Sequence, residues 1–132
     1  MAPQRIGDLQ LAILEVLWQR GEAVVAEVHA DLLIERGLAM TTIATMLRKM
    51  EDRGLVVSRK EGRALSYRPA VSREEISRTM VGDLLSRLFA GDPRELVQHL
   101  VREGELDASA LDDLRRQIAR KKSAGEGARD DR

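Results

Sequence analysis

The chain has 132 residues, 43% hydrophobic and 33% charged, with 22 basic and 22 acidic side chains and no net charge. This suits one ordinary domain, or a small domain with an appendage, in a helix-rich chain. There is no cysteine, which excludes disulfides, zinc fingers and thiol chemistry. No apolar run approaches the roughly 18 residues of a membrane span. The start, MAPQRIGDLQ, has no signal-peptide apolar core. Membrane insertion is therefore not expected, and the cytoplasm is the expected compartment.

The first periodic segment is GDLQLAILEVLWQRG. Leu9, Ile13, Val16 and Leu17 form a helical stripe, with Asp8 placed to cap or charge the first turn and Gly21 to stop it. The segment VVAEVHADLLIERG repeats the logic, with Val25, Val28, Leu32 and Leu33 facing inward and Gly37 as the stop. After the link LAM comes TTIATMLRKMEDRG, with Thr41 as N-cap and Gly54 as the stop. Ile43, Met46, Leu47 and Met50 share one side of this third helix, and Thr42, Thr45, Arg48 and Lys49 the other. A face that needed only to be solvated would more usually carry Glu–Lys pairs, and threonine is a mediocre helix former. Two hydroxyls beside two bases point to another task.

The period then changes. LVVSRKEGRALSYRP alternates, with Leu55 and Val57 on one face and Leu65 and Tyr67 following the turn KEGRA. Gly62 supplies the permissive turn backbone and Pro69 ends the strand. From residue 70 the pattern is helical again. Ser72 and Glu75 form a capping-box signature ahead of Ile76, Met80, Val81, Leu84, Leu85, Leu88 and Phe89. At the break GDP, Asp92 is the expected cap, Pro93 the first helical residue and Glu95 the partner that completes a box. Leu96, Val97, Leu100 and Val101 follow, then the acidic link GELD, then Leu111, Leu114 and Ile118. KKSAGEGARDDR has no periodicity and reads as a disordered tail. The expected organisation is residues 1–70, 71–120 and a tail over 121–132.

Three helices followed by a basic hairpin is the order of a winged helix-turn-helix, so the expected fold class is mainly α with a small β-hairpin wing and a C-terminal helical region. In that arrangement the third helix enters the major groove and the wing lies on the backbone or in the minor groove. Thr42 and Thr45 suit base edges or a thymine methyl, and Arg48 and Lys49 suit phosphates or guanine. Arg59, Lys60 and Arg63 suit phosphates. Residues 41–69 hold seven basic and three acidic groups, so a local excess of four positive charges is hidden by four negative ones elsewhere. Each feature has a plainer reading. The threonines could be neutral surface, Glu51 and Asp52 could compensate Arg48 and Lys49, and Lys60 and Arg63 could guard a sheet edge. Their joint occurrence on adjacent elements favours double-stranded DNA as partner.

The C-terminal segments carry more apolar residues than one small appendage can satisfy. A homodimer interface through Ile76, Met80, Leu84, Leu88, Leu96, Leu100, Leu111, Leu114 and Ile118 is the expected sink. The competing functional class is a winged-helix module that binds protein rather than DNA. Such a module should show apolar or acidic residues at positions 42, 45, 48 and 49. An enzyme is not expected: His29 and His99 are joined by no motif, and there is no nucleophile with its base, no phosphate loop and no metal-ligand spacing. No catalytic residue, metal or cofactor is assigned.

Residues 7 to about 120 also resemble the penicillinase-repressor (BlaI/MecI) family of bacterial winged-helix regulators. The resemblance rests on LAILEVLW, TTIATMLRKMEDRGLV, RKEGRALSYRP and LLSRLFAGDPRELVQHLVREGELDASALDDLRRQI. It implies a homodimeric repressor whose N-terminal domains bind an operator with dyad symmetry and whose C-terminal helices form the dimer. It also implies induction through a membrane sensor-protease, with cleavage at an Asn–Phe pair in the C-terminal region. Here the corresponding pair is His99–Leu100, a departure that counts against release of that type. The cysteine-based copper sensing of another branch is excluded by the absence of cysteine.

Overall fold

The computed structural model describes residues 5–130, with side chains to residue 125. The elements are α1 (Asp8–Arg20), β1 (Ala23–Val24), α2 (Val25–Arg36), α3 (Met40–Asp52), β2 (Val56–Glu61), β3 (Ala64–Pro69), α4 (Arg73–Leu88), α5 (Pro93–Arg102) and α6 (Ala108–Asp130). The chain divides inside α4 into two units, the first ending at Asp83 and the second beginning at Leu84.

In the first unit each helix contributes an apolar stripe at helical spacing. α1 buries Ile13, Leu14, Val16 and Leu17, α2 buries Val28 and Leu32, and α3 buries Ile43, Leu47 and Met50. These meet Ala23, Leu55, Val56, Tyr67 and Ile76 in one cluster. Burying a Leu, Ile, Val or Met side chain is worth about 1.5–3 kcal/mol, so the cluster is what holds three short helices together. The helices stop where glycine permits a left-handed residue: Gly21 has φ 82° and Gly37 has φ 58°.

Polar ties fix the helix arrangement. Arg20 at the end of α1 donates to both carboxylate oxygens of Asp31 on α2, at 2.7 and 2.9 Å, and to Glu27 at 3.1 Å. Gln10 accepts from the Gly7 amide and from Arg53, whose other terminal nitrogen donates to the Arg5 carbonyl at 2.7 Å. His29 is half-buried, with Nε2 2.9 Å from the Leu38 carbonyl oxygen, so it serves the packing of α2. The start of α4 is held as well. Trp18 Nε1–H donates to the Val71 carbonyl at 2.9 Å, and the Arg73 guanidinium lies 4.7 Å above the Trp18 ring. The Ser72–Glu75 capping box forms in both directions.

The sheet has three antiparallel strands in the order β1-β3-β2. β1 is only two residues long, with Ala23 opposite Tyr67 and Val24 opposite Ser66. The hairpin of β2 and β3 pairs from Val56–Pro69 to Glu61–Ala64, leaving Gly62 and Arg63 as a two-residue loop with Gly62 at φ 64°.

Several sequence expectations shift. The cap of α3 lies two residues earlier than expected, at Ala39, so Thr41 is an exposed residue of the first turn. Leu33 is 49% exposed, because α2 turns only Val28 and Leu32 fully inward. On the hairpin the phase differs by one: Leu55 is buried from the turn before β2, Val56 is the strand's buried residue, and Val57 faces out. Leu65 shares a face with Tyr67 but pairs with Lys60 beyond the end of β1 and is 39% exposed. β1 was not expected at all, and two residues offer no periodicity to read.

Ile76 belongs to the first unit's core rather than to a dimer face: it is 5% exposed and packed into that cluster. With Trp18 and Arg73 it draws the first part of α4 into the first unit, so the division falls between Asp83 and Leu84 rather than after residue 70. Asp92 caps α5 through the Arg94 amide at 2.9 Å. Glu95 does not complete the box, because the Asp92 amide is already bonded to the Phe89 carbonyl. α6 continues to Asp130 through the segment whose composition suggests a tail, since lysine, arginine and alanine there are good helix formers. Residues 1–4 of the expected first domain and 131–132 of the expected tail lie outside the described residues.

Among the described residues none beyond Ile76 is buried. In the second unit Leu88 is 71% and Ile118 is 68% exposed, and His99 stands with its ring 5.9 Å from that of Phe89. No helix among the described residues is long and apolar enough to cross a membrane. Leu47→Ala should lower unfolding free energy by about 2–5 kcal/mol, and Leu65→Ala by no more than about 0.5, as measured by urea denaturation.

Candidate nucleic-acid interface

α3 is anchored by a stripe that leaves the opposite side clear. Ile43, Leu47 and Met50 are fully buried, whereas Thr41, Thr42, Thr45, Arg48 and Lys49 are exposed. Met46 lies at the margin, half-buried, with its sulfur accepting from Gln10 Nε2. Thr42, Thr45 and Lys49 follow one another at three- and four-residue spacing, so they line one ridge of the helix. Thr41 joins the first turn of the same exposed side. Its place before the apolar stripe suggests a cap, and the register of the first turn puts it on the exposed side instead.

The hairpin follows α3 directly and is fastened to it. Glu51, near the end of α3, accepts from both the amide and the hydroxyl of Ser58 on β2, at 2.9 and 2.6 Å. A charged acceptor makes such bonds short and strong. Tyr67 is buried behind this tie. Burial raises its phenol above the ordinary value; the charge of Glu51 adds to that and Arg48 opposes it. Arg48 thus sits near the root of the hairpin as well as on the exposed face of α3.

At the tip, Lys60 and Arg63 are exposed, and so are Glu61, Gly62, Ala64 and Leu65 around them. Among the described residues Arg48, Lys49, Lys60 and Arg63 form no ion pair, which leaves four cations available to an outside anion. Arg59 is different. Its guanidinium is paired with Glu22 and lies 3.7 Å from Glu61, so the fold engages within the chain a base that the sequence pattern points toward phosphate. Glu22 also accepts from the Ser66 hydroxyl at 2.9 Å. The Arg59 guanidinium first, and then the Ser66 bond, hold the Glu22 carboxyl below its ordinary pKa. Glu22, Glu51 and Ser66 were missed by sequence reasoning. Their partners are 7 to 44 residues away, and no local pattern marks such pairs.

No cluster of three or more potential metal ligands occurs among the described residues. The arrangement offers hydroxyls and cations on a helix ridge, with a cationic hairpin beside it. A helix ridge of this kind fits a DNA major groove, and the hairpin cations fit phosphates.

A tri-helical core with a hairpin wing and this exposed chemistry defines a winged-helix DNA-binding protein of the transcription-regulating class. Residues 6–120 match the family described as Penicillinase repressor, and the chain belongs to that family. It is 35% identical over 128 residues to the transcriptional regulator BlaI of Mycobacterium tuberculosis, covering 95% of this chain and 90% of that protein. It is 24% identical over 110 residues to the penicillinase repressor of Bacillus licheniformis, covering 83% of this chain and 86% of the relative. Among solved structures, the monomeric form of Bacillus licheniformis BlaI in complex with the blaP half-operator aligns at a TM-score of 0.48 and 27% identity, over 56% of this chain and 90% of that one.

The depressed carboxyl of Glu22 has a pH consequence. A group whose folded pKa lies below its unfolded one stabilises the fold above the unfolded value, and that contribution fades as pH falls through the folded value. Glu22→Gln should therefore melt below the wild type at neutral pH, and the two melting temperatures should converge as the carboxyl protonates in acid, as followed by circular dichroism.

Proposed function

We propose that this transcriptional repressor binds, as a homodimer, an operator with two inverted half-sites, α3 lying in the major groove and the β2–β3 wing on the phosphate backbone. The observation that carries the reading is the pairing, within one unit, of an exposed hydroxyl-and-base ridge on α3 with uncommitted cations at the wing tip. In this reading Thr42 and Thr45 meet base edges or thymine methyls, Arg48 and Lys49 meet phosphates or guanine, and Lys60 and Arg63 neutralise phosphates. Arg59 is left out because Glu22 holds it.

The dimer reading rests on the second unit. A segment with Leu84, Leu88, Val97, Val101, Leu111, Leu114 and Ile118 all exposed, and no buried residue among those described, has its apolar surface unsatisfied in a single chain. A second copy related by a twofold axis covers such a surface on both chains at once. Met80, Leu84, Leu88, Leu96, Leu100, Leu111, Leu114 and Ile118 are the proposed contacts. Two recognition helices then stand roughly 34–36 Å apart, about one turn of DNA. The family's sensor-protease route is not carried over, because His99–Leu100 replaces the Asn–Phe pair that the resemblance implies.

Selection of bound duplexes from a random pool, followed by sequencing, tests the central claim. Enrichment of an inverted repeat with half-sites one turn apart is the expected outcome. An unenriched pool would sink the reading and return the protein-binding alternative. On the selected duplex, Thr45→Ala should relax base choice by about 1–3 kcal/mol, whereas Arg63→Ala should weaken all duplexes alike and reduce the salt slope by roughly 1. Leu88→Asp should move the sedimentation coefficient from dimer to monomer without changing the melting of the first unit.

A further inference from the structure

The wing is gripped at its base from both faces. Successive residues of a strand point to opposite sides of the sheet, so Ser58 and Arg59 of β2 face opposite ways. Ser58 is held from one side by Glu51 of α3. Arg59 is held on the other by Glu22, in the link between α1 and β1. The same Glu22 oxygen accepts the hydroxyl of Ser66, which lies directly across the ladder from Arg59 and is 3% exposed.

Glu22 therefore touches both strands of the hairpin at one register. The position matters because β1, which begins with the next residue, pairs with β3 over only two residues. Beyond Ser66 and Arg59 the hairpin runs on to its tip with every residue exposed. The fixed contacts described for the hairpin lie at its base, so its direction is set there. A carboxylate there, held ionised by its cation, makes charge-assisted hydrogen bonds of about twice the ordinary strength.

We infer that Glu22 is a positioning residue of the wing, gripping Arg59 and Ser66 so that Lys60 and Arg63 meet the DNA backbone in one fixed pose. This rests on the DNA-binding reading above. It makes Arg59 a structural hub, and it reverses the sign that charge counting gives to Glu22. An anionic group beside a DNA-binding surface repels phosphate, so its removal by charge alone tightens binding. Removal of a positioning carboxylate weakens it.

The test uses the full chain, a fluorescent 40-base-pair duplex of mixed sequence and anisotropy titrations over a series of KCl concentrations. Glu22→Ala should weaken binding by roughly five- to tenfold, the scale of one or two lost phosphate contacts. Arg63→Gln in the wild-type background should lower the salt slope by about 0.9, and in the Glu22→Ala background it should change neither slope nor affinity by a measurable factor. That loss of coupling is a readout that mere loss of stability does not produce. Amide exchange followed by NMR should show protection lost in the wing ladder and kept at Leu47 in α3.

Equal or tighter binding by Glu22→Ala, or an unchanged Arg63→Gln effect in that background, overturns the inference while leaving the DNA-binding reading intact. A wild type that binds no duplex even at low salt defeats the DNA-binding reading itself and this inference with it. If Glu22→Ala does not fold, Arg59→Gln, which breaks the same grip from the other partner, should show the same loss of coupling to Arg63; retained coupling overturns the inference.

Discussion

Everything in the first unit depends on how little of α3 is buried. Three side chains, Ile43, Leu47 and Met50, carry the helix into the core, and each is wholly enclosed. A stripe that narrow leaves more than half of the helix circumference to solvent. The helix can be presented outward only because α1 and α2 meet it with wider or complementary stripes, and because Arg20 and Arg53 fix the neighbouring segments by hydrogen bonds. The division of labour is physical: apolar contact supplies the holding, and the hydroxyls and bases remain unspent.

The wing extends that logic with polar contacts in place of apolar ones. Val56 and Tyr67 reach the core, but from Ser58 outward the hairpin is governed by carboxylates. Net neutrality then acquires a meaning that the total alone conceals. Two acidic side chains, Glu22 and Glu51, are internal fasteners: Glu22 engages Arg59, and Glu51 is spent on the amide and hydroxyl of Ser58. On α3 and the wing tip the unpaired cations Arg48, Lys49, Lys60 and Arg63 outnumber the exposed carboxylates Asp52 and Glu61, so the composition understates the local field.

Much of this was legible in the sequence. The three stripes, the glycine stops, the change of period at the hairpin and the capping box at Ser72 are local patterns, and local patterns persist in the fold. The exposed ridge of α3 followed from the same spacing. What was not legible was either too short or too distant. β1 offers two residues, the phase of β2 turns on whether Leu55 belongs to the strand or to the turn before it, and the Glu22–Arg59 pair joins residues 37 positions apart by number. Ile76 shows the limit from another side. Its place in an apolar helical stripe is plain, but periodicity cannot say which of two cores receives it, and Trp18 with Arg73 decides that.

The bare second unit has a further consequence. A segment whose described side chains are all at least partly exposed draws little folding free energy from its own chain, so its order depends on what it meets. If it meets another copy, assembly follows mass action, and the dose of protein in the cell becomes an input in its own right. Halving abundance then lowers dimer more than twofold while monomer predominates, and operator occupancy falls with it. Such a regulator reads its own copy number, and a gene for it that responds to its own product would have a steeper set point than a monomeric binder allows.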